Sequence, residues 1–149
     1  MASGVAAFAA ACASPATGET RLVDDPALGR VYQWEKDDLL VLASGLQPAY
    51  RPGDEMRVKL LLNNQKHVSA EVKIRTRLLG RGQQAVVEAE VVNVEVPADG
   101  VLNLERPLRL PRSLPPQDYA LQVELPPWTL AGNGEAGGGS LMIPVQVVS

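Results

Sequence analysis

The chain carries one cysteine, Cys12, and one histidine, His67, in 149 residues. A single thiol excludes an internal disulfide framework. With only one imidazole beside it, the usual cysteine and histidine sets for zinc or other transition metals are missing, so no structural metal and no cofactor is expected. Aromatic residues make up only 4% of the chain, which leaves Val and Leu to fill any core, and both suit the pleated face of a sheet. Fourteen Lys and Arg against seventeen Asp and Glu give a formal charge of −3. That balance supplies no field for gathering phosphates and sets nucleic acid aside as a partner. The apolar start, Met1 to Ala13, is far shorter than the ~20 residues a membrane-crossing helix requires.

What the chain does have is alternation. Val68, Ala70, Val72, Ile74, Thr76 and Leu78 share one parity, while Ser69, Glu71, Lys73, Arg75 and Arg77 occupy the other. This is the pattern of a strand with one dry face. Similar runs predict seven strands: Leu39 to Leu46, Glu55 to Leu62, Val68 to Leu79, Gln84 to Val96, Val101 to Leu110, Tyr119 to Leu125 and Leu141 to Val148. Turn residues fill nearly every gap, and no helical period appears. The chain therefore divides into 1–20, a signal or lipidation segment with a flexible stalk; 21–37, an N-terminal extension whose Val31, Tyr32 and Trp34 add an edge strand or cover one end; and 38–149, the strand-rich domain.

Around Gly80-Arg81-Gly82, parity predicts a hairpin that sets Ile74 beside Ala89, Val72 beside Val91, Arg75 opposite Glu88 and Lys73 opposite Glu90, with a loop of two or four residues. Opposite charges at such sites contribute about 0.2–1 kcal/mol each. Lys73, Arg75 and Arg77 thus read as a solvated, partly neutralised face and not as a ligand site. Beyond Val91 the apolar parity switches to Val92, Val94 and Val96, which demands a bulge or a change of sheet. The expectation is that the chain crosses sheets there.

Candidate chemistry is sparse. Gly132-Asn133-Gly134-Glu135-Ala136-Gly137 matches the dinucleotide pattern G-x-G-x-x-G, but that motif works by opening a helix, and a strand follows instead. Residues 131–140 read as a mobile loop. His67 lies in a polar turn with no nucleophile of recognisable context, and Asp24-Asp25 and Glu35 to Asp38 lack calcium-loop spacing. Trp34, Tyr50 and Trp128 stand outside the central strand parity, either as plugs for an open end of a sandwich or as anchors for a partner. The last strand, approached through glycines, is the preferred element for exchange with a partner. Its solvent parity makes Met142 and Gln146 further partner-binding candidates.

Two resemblances add to this reading. Ala9-Ala10-Ala11-Cys12, preceded by small apolar residues, resembles the end of a bacterial lipoprotein signal. That likeness implies lipidation of Cys12; the alternatives are a signal cut to release a soluble secreted product, or no export, with a disordered alanine-rich start and an incidental cysteine. Tyr50-Arg51-Pro52-Gly53-Asp54 and Leu114-Pro115-Pro116-Gln117-Asp118-Tyr119-Ala120-Leu121 resemble the Y-x-P-G-D and L-P-x-G-x-Y-x-L stretches of immunoglobulin-like sandwiches in bacterial envelope proteins, including macroglobulin-type modules. The fold implied is an all-β, immunoglobulin-like sandwich of about seven antiparallel strands with no disulfide. Tyr119 would be its tyrosine corner, and Leu121 stands where antibody domains carry their second cysteine.

The function expected on these grounds is non-enzymatic: a binding or assembly component of a bacterial envelope or cell-surface complex, lipid-anchored, with another envelope or surface protein as partner. A carbohydrate-active or hydrolytic module using surface carboxylates is the alternative, as is a structural subunit of a surface fibre.

Overall fold

The computed structural model describes residues 20–27, 29–132 and 134–149. Cys12 and the lipidation segment lie outside them. The described residues form twelve strands: β1 Arg21–Asp25, β2 Gly29–Lys36, β3 Leu39–Ser44, β4 Glu55–Asn64, β5 Ala70–Leu79, β6 Ala85–Glu88, β7 Val92–Val96, β8 Val101–Arg109, β9 Gln117–Leu125, β10 Trp128–Leu130, β11 Glu135–Ala136 and β12 Gly139–Val147. Six of the seven expected strands are present as single elements, and the remaining one, Gln84 to Val96, is divided into β6 and β7. Their order is β1-β2-β3-β4-β8 in one sheet, and in the other β11-β10-β5-β9-β12 with β6 and β7 also paired to β5.

Segment 21–37 is a hairpin that widens the first sheet, since β2 pairs both β1 and β3 and thereby puts Trp34 opposite Val41. β9 and β10 follow one path along β5, interrupted at Pro126-Pro127, where the register shifts by one residue between Arg75↔Glu124 and Glu71↔Thr129. Proline supplies no ladder donor, so the break falls there.

The core lies between the sheets and is aliphatic: Val58, Leu60 and Leu62 from β4 meet Ile74 and Leu78 from β5 and Leu121 and Val123 from β9. Tyr119 occupies the expected corner, its hydroxyl donating to the Pro115 carbonyl at 2.7 Å. Tyr119→Phe keeps the packing and removes that bond. The expected loss is about 0.5–1.5 kcal/mol, read as a lower urea midpoint at unchanged m-value. Leu121 is fully buried, filling with side-chain volume the site that a disulfide would otherwise occupy.

Three expectations are corrected. The β5–β6 register sets Arg77, not Arg75, opposite Glu88, and Lys73 faces Asn93 on β7. The reason is the connection: residues 80–84 include a short 3-10 turn at Arg81–Gln83 with Gly82 at φ 71°, and the pairing is irregular between Leu78 and Leu79. Second, the chain does not change sheets after Val91. A bulge spanning residues 89–91 absorbs the parity switch, so Val92, Val94 and Val96 stay on the core side beside β5. The crossing comes at Pro97-Ala98-Asp99-Gly100, which leads from β7 to β8.

The third concerns residues 131–140. They contain β11 and the start of β12, and Gly137, at φ 77°, lies directly against the Trp128 ring, where any Cβ would overlap it. Asp37 accepts from the Gly137 amide (2.6 Å) and Lys36 Nζ donates to the Gly138 carbonyl (2.8 Å), so the β2–β3 turn holds this segment from across the sandwich. The glycines are needed for close approach to an indole.

Candidate functional site

In an antiparallel sandwich the outer face of each sheet is ordinarily polar. The second sheet follows this rule: Arg75 lies 3.6 Å from Glu124 and 3.8 Å from Glu88, and Arg77 Nε donates to Gln122 at 2.7 Å. Gln122 continues the chain of contacts to Ser140 at 3.3 Å. This is the neutralised face that the sequence implied. A polar hollow of about 330 Å³ lies beside it, lined by Glu71, Lys73, Asn93, Pro127 and Thr129.

The first sheet departs from the rule. β3 reads Leu39-Leu40-Val41-Leu42-Ala43-Ser44, apolar on both parities; Leu39, Val41 and Ala43 go to the core, so Leu40 and Leu42 are turned outward and remain half-buried. On β4, Leu61 faces the same way between the inward Leu60 and Leu62. Strand pairing then aligns the outer side chains into rows. One runs Gln33, Leu42, Leu61, Asn103; the neighbouring row holds Ser44, Lys59 and Glu105, with Val31 at its β2 end.

Between the rows lies an open groove of about 510 Å³, lined by Val31, Leu42, Ser44, Lys59, Leu61 and Asn103, with Glu105 at the far side. Beyond Glu105 the same face turns polar. Arg57 bridges Glu105 (3.2 Å) and Glu55 (2.9 Å), and Arg109 approaches Glu55 at 3.8 Å. An apolar trough bordered by an ion-pair ladder suits recognition of a partly apolar surface. Fully burying a leucine contributes about 1.5–3 kcal/mol, so half-buried Leu42 and Leu61 retain part of that for a partner.

The residues singled out from the sequence fall elsewhere. Trp34 and Trp128 are 1% and 2% exposed and meet edge to face, centroids 6.4 Å apart at 76°. Tyr50 is equally buried, and its hydroxyl accepts from the Gln47 amide at 2.9 Å. Burial raises the Tyr50 pKa above the ordinary phenol range and the Asp54 charge adds to this, against the opposing effect of the Gln47 bond. These three aromatics plug the sandwich and offer no side-chain face to a partner. Met142 is half-buried and Gln146 exposed, both on the solvent side of β12.

β12 itself is paired with β9 along all nine of its residues. Its outer edge is occupied too: Tyr50 N donates to the Gln146 carbonyl (2.9 Å), Val148 N donates to the Tyr50 carbonyl (2.8 Å), and Met142 N donates to Thr20 Oγ1 (3.1 Å). A strand held on both sides is poorly suited to exchange. His67 is exposed and lies 2.9 Å from Asp99; the hydrogen bond, then the carboxylate charge, raises its pKa. Among the described residues, no converging acid pair accompanies it. The groove's signal in the sequence is Leu40, Leu42 and Leu61, apolar residues on a solvent parity that the large aromatics do not share.

No family model matches this sequence, and no curated protein sequence does. Solved structures of similar fold include the following two. A PapD-like (ASH) domain of human CEP192 aligns with TM-score 0.53 and 12% identity over 75% of this chain and 86% of that one. A family 123 glycoside hydrolase from Clostridium perfringens aligns with TM-score 0.50 and 10% identity over 68% of this chain but only 22% of the enzyme. At such identities the likeness concerns fold alone. The chain is an all-β, immunoglobulin-like sandwich without a disulfide.

Proposed function

We propose that this chain is a non-catalytic binding or assembly module of a bacterial envelope or cell-surface complex, tethered through a lipid on Cys12. The observation that carries the binding reading is the outward-facing apolar groove of Val31, Leu42 and Leu61 on a sheet whose geometry calls for polar residues there. The Ala9-Ala10-Ala11-Cys12 sequence supports the tether, and residues 13–19, with Ser14, Pro15, Thr17 and Gly18, supply a spacer between lipid and β1. Several acyl chains hold more firmly than one.

The partner in this reading is another envelope protein that lays an apolar segment along the groove and sets polar groups against Lys59 and the Arg57–Glu105 ladder. Leu61→Lys places a charge in the trough without touching the core. Affinity capture from native membranes with the wild-type chain and with this variant is the test. A copurifying protein reduced at least tenfold by Leu61→Lys, at unchanged thermal stability, is expected. Identical recoveries overturn the groove reading, and a native N-terminus that retains unmodified residues ahead of Cys12 overturns the tether.

A further inference from the structure

A sheet edge exposes unpaired backbone groups, and soluble proteins blunt such edges with proline, bulges, charge or covering segments. With β11 and β12 counted as one line along β10 and β9, three of the four edges among the described residues carry a proline, a bulge or a covering contact. On the β12 edge, the outward positions alternate with Gln146 and Val148, which are bonded to Tyr50; Pro144, two residues earlier, has no N–H, and Met142 is bonded to Thr20. On the β8 edge, Leu110 N donates to Asp54, so even-numbered residues face β4 and odd-numbered ones face outward. Pro107 then removes a donor from the open side, and Glu105 puts a carboxylate beside it. The β6–β7 edge is broken by the bulge and carries Glu88, Glu90 and Glu95; its Glu90 carbonyl already accepts from Arg106 Nη2 at 2.6 Å.

β1 has neither proline nor bulge, and its one device is charge: Arg21 at one end, Asp24 and Asp25 at the other. Arg21–Asp25 pairs with β2 without interruption, contains no proline, and carries Leu22 at 52% and Val23 at 41% exposure. Its sequence is also complementary to itself. Antiparallel pairing about a two-fold axis through Val23 sets Arg21 opposite Asp25 at each end and Val23 opposite Val23 in the middle. The alternatives are worse: an axis through Asp24 places two carboxylates face to face, and one through Leu22 sets Val23 against Arg21 and leaves Asp25 beyond the paired span.

We infer that β1 joins two copies of this chain, edge to edge, with Val23 on the two-fold axis. Arg21 and Asp25 also keep contacts within their own chain, Asp25 Oδ1 accepting from Ala27 N (2.8 Å), and the pairing across the axis asks only for opposite charge. Such an interface is isologous and closed, as a stable dimer requires. Val23 is the cross-strand neighbour of Val31, which lines the apolar groove. The dimer therefore merges two five-stranded sheets into one layer with both grooves on the same face.

The test uses the full chain carrying Cys12→Ser, so that no other thiol is present. Light scattering across a concentration series is expected to show a dimer mass at high concentration. Adding Val23→Asp brings two carboxylates together on the axis and is expected to leave a monomer at every concentration with an unchanged thermal midpoint. Val23→Cys is expected to form a disulfide-linked dimer on mild oxidation. Leu22→Cys, whose counterpart lies opposite Asp24 and not opposite itself, is expected to cross-link far less. A wild-type monomer throughout, a dimer that survives Val23→Asp, or equal cross-linking at positions 22 and 23 each overturns the inference. None of these outcomes bears on whether the groove binds another protein.

Discussion

Gly137→Ala will destabilise this fold by about 2–5 kcal/mol, a large share of the stability of a domain this size. Two costs add. Gly137 sits at φ 77°, where an L side chain pays about 1–2 kcal/mol. Its new methyl group must also displace the Trp128 ring, and overpacking of a filled core costs about 1–3 kcal/mol. Gly132→Ala is the control, because Gly132 also has positive φ, 98°, but has nothing within 4 Å of an added Cβ. It should lose only the backbone part. Chemical denaturation of both variants separates the two costs, and equal losses would show that the indole contact contributes nothing. The other indole explains why Gly139 is small: a Cβ there would come within 2.6 Å of Trp34 Cζ2.

Asn64→Asp is expected to cost more than about 3 kcal/mol at neutral pH and to recover in part on acidification. Asn64 is only 2% exposed, and its Nδ2 donates to the carbonyls of Val68 (2.9 Å), Pro97 (3.2 Å) and Val96 (3.3 Å), while Oδ1 accepts from Lys66 N (3.0 Å). This one amide ties the β4–β5 connection to the β7–β8 turn. A carboxylate there would face three carbonyl oxygens with no proton to give. Its pKa in the folded chain must then lie above the unfolded value of about 3.9, since those oxygens disfavour the charged form. The folded state binds the proton more tightly, so the variant is least destabilised below that unfolded value and loses stability as pH rises through the folded one. Asn64→Ala removes the amide without adding a titrating group. Its deficit should be independent of pH across the same range, and parallel pH profiles for the two variants would contradict this account.

Much of the architecture was legible in the chain, for a physical reason that also sets the limit. Side chains alternate with period two along a strand, so Val72, Ile74 and Leu78 announce both a strand and its buried face. Alternation determines pairing only to within a shift of two residues, however, because such a shift leaves every side chain on its proper face. Moving Glu88 from Arg75 to Arg77 inverts nothing, and only the five-residue connection after Leu79 selects between them. The bulge after Glu88 was equally open, since a change of sheet satisfies the same parity switch. The short strands β10 and β11, of three and two residues, carry too little pattern to be read at all.

The same division holds for the working surfaces. Scarcity of Cys and His determined that this chain holds itself together by aliphatic burial, because disulfides and cysteine–histidine metal sites need groups it does not possess. Composition and alternation together determined a two-layer β protein with polar and apolar faces. Whether Trp34 and Trp128 face a partner or each other depends on residues far apart in the chain, Lys36 and Asp37 against Gly137 and Gly138, and no local pattern encodes such a meeting. Likewise Leu42 and Leu61 become a groove, and Arg21–Asp25 an open edge, only once strand order places them. Those are properties of neighbours across sheets, which tertiary structure alone decides.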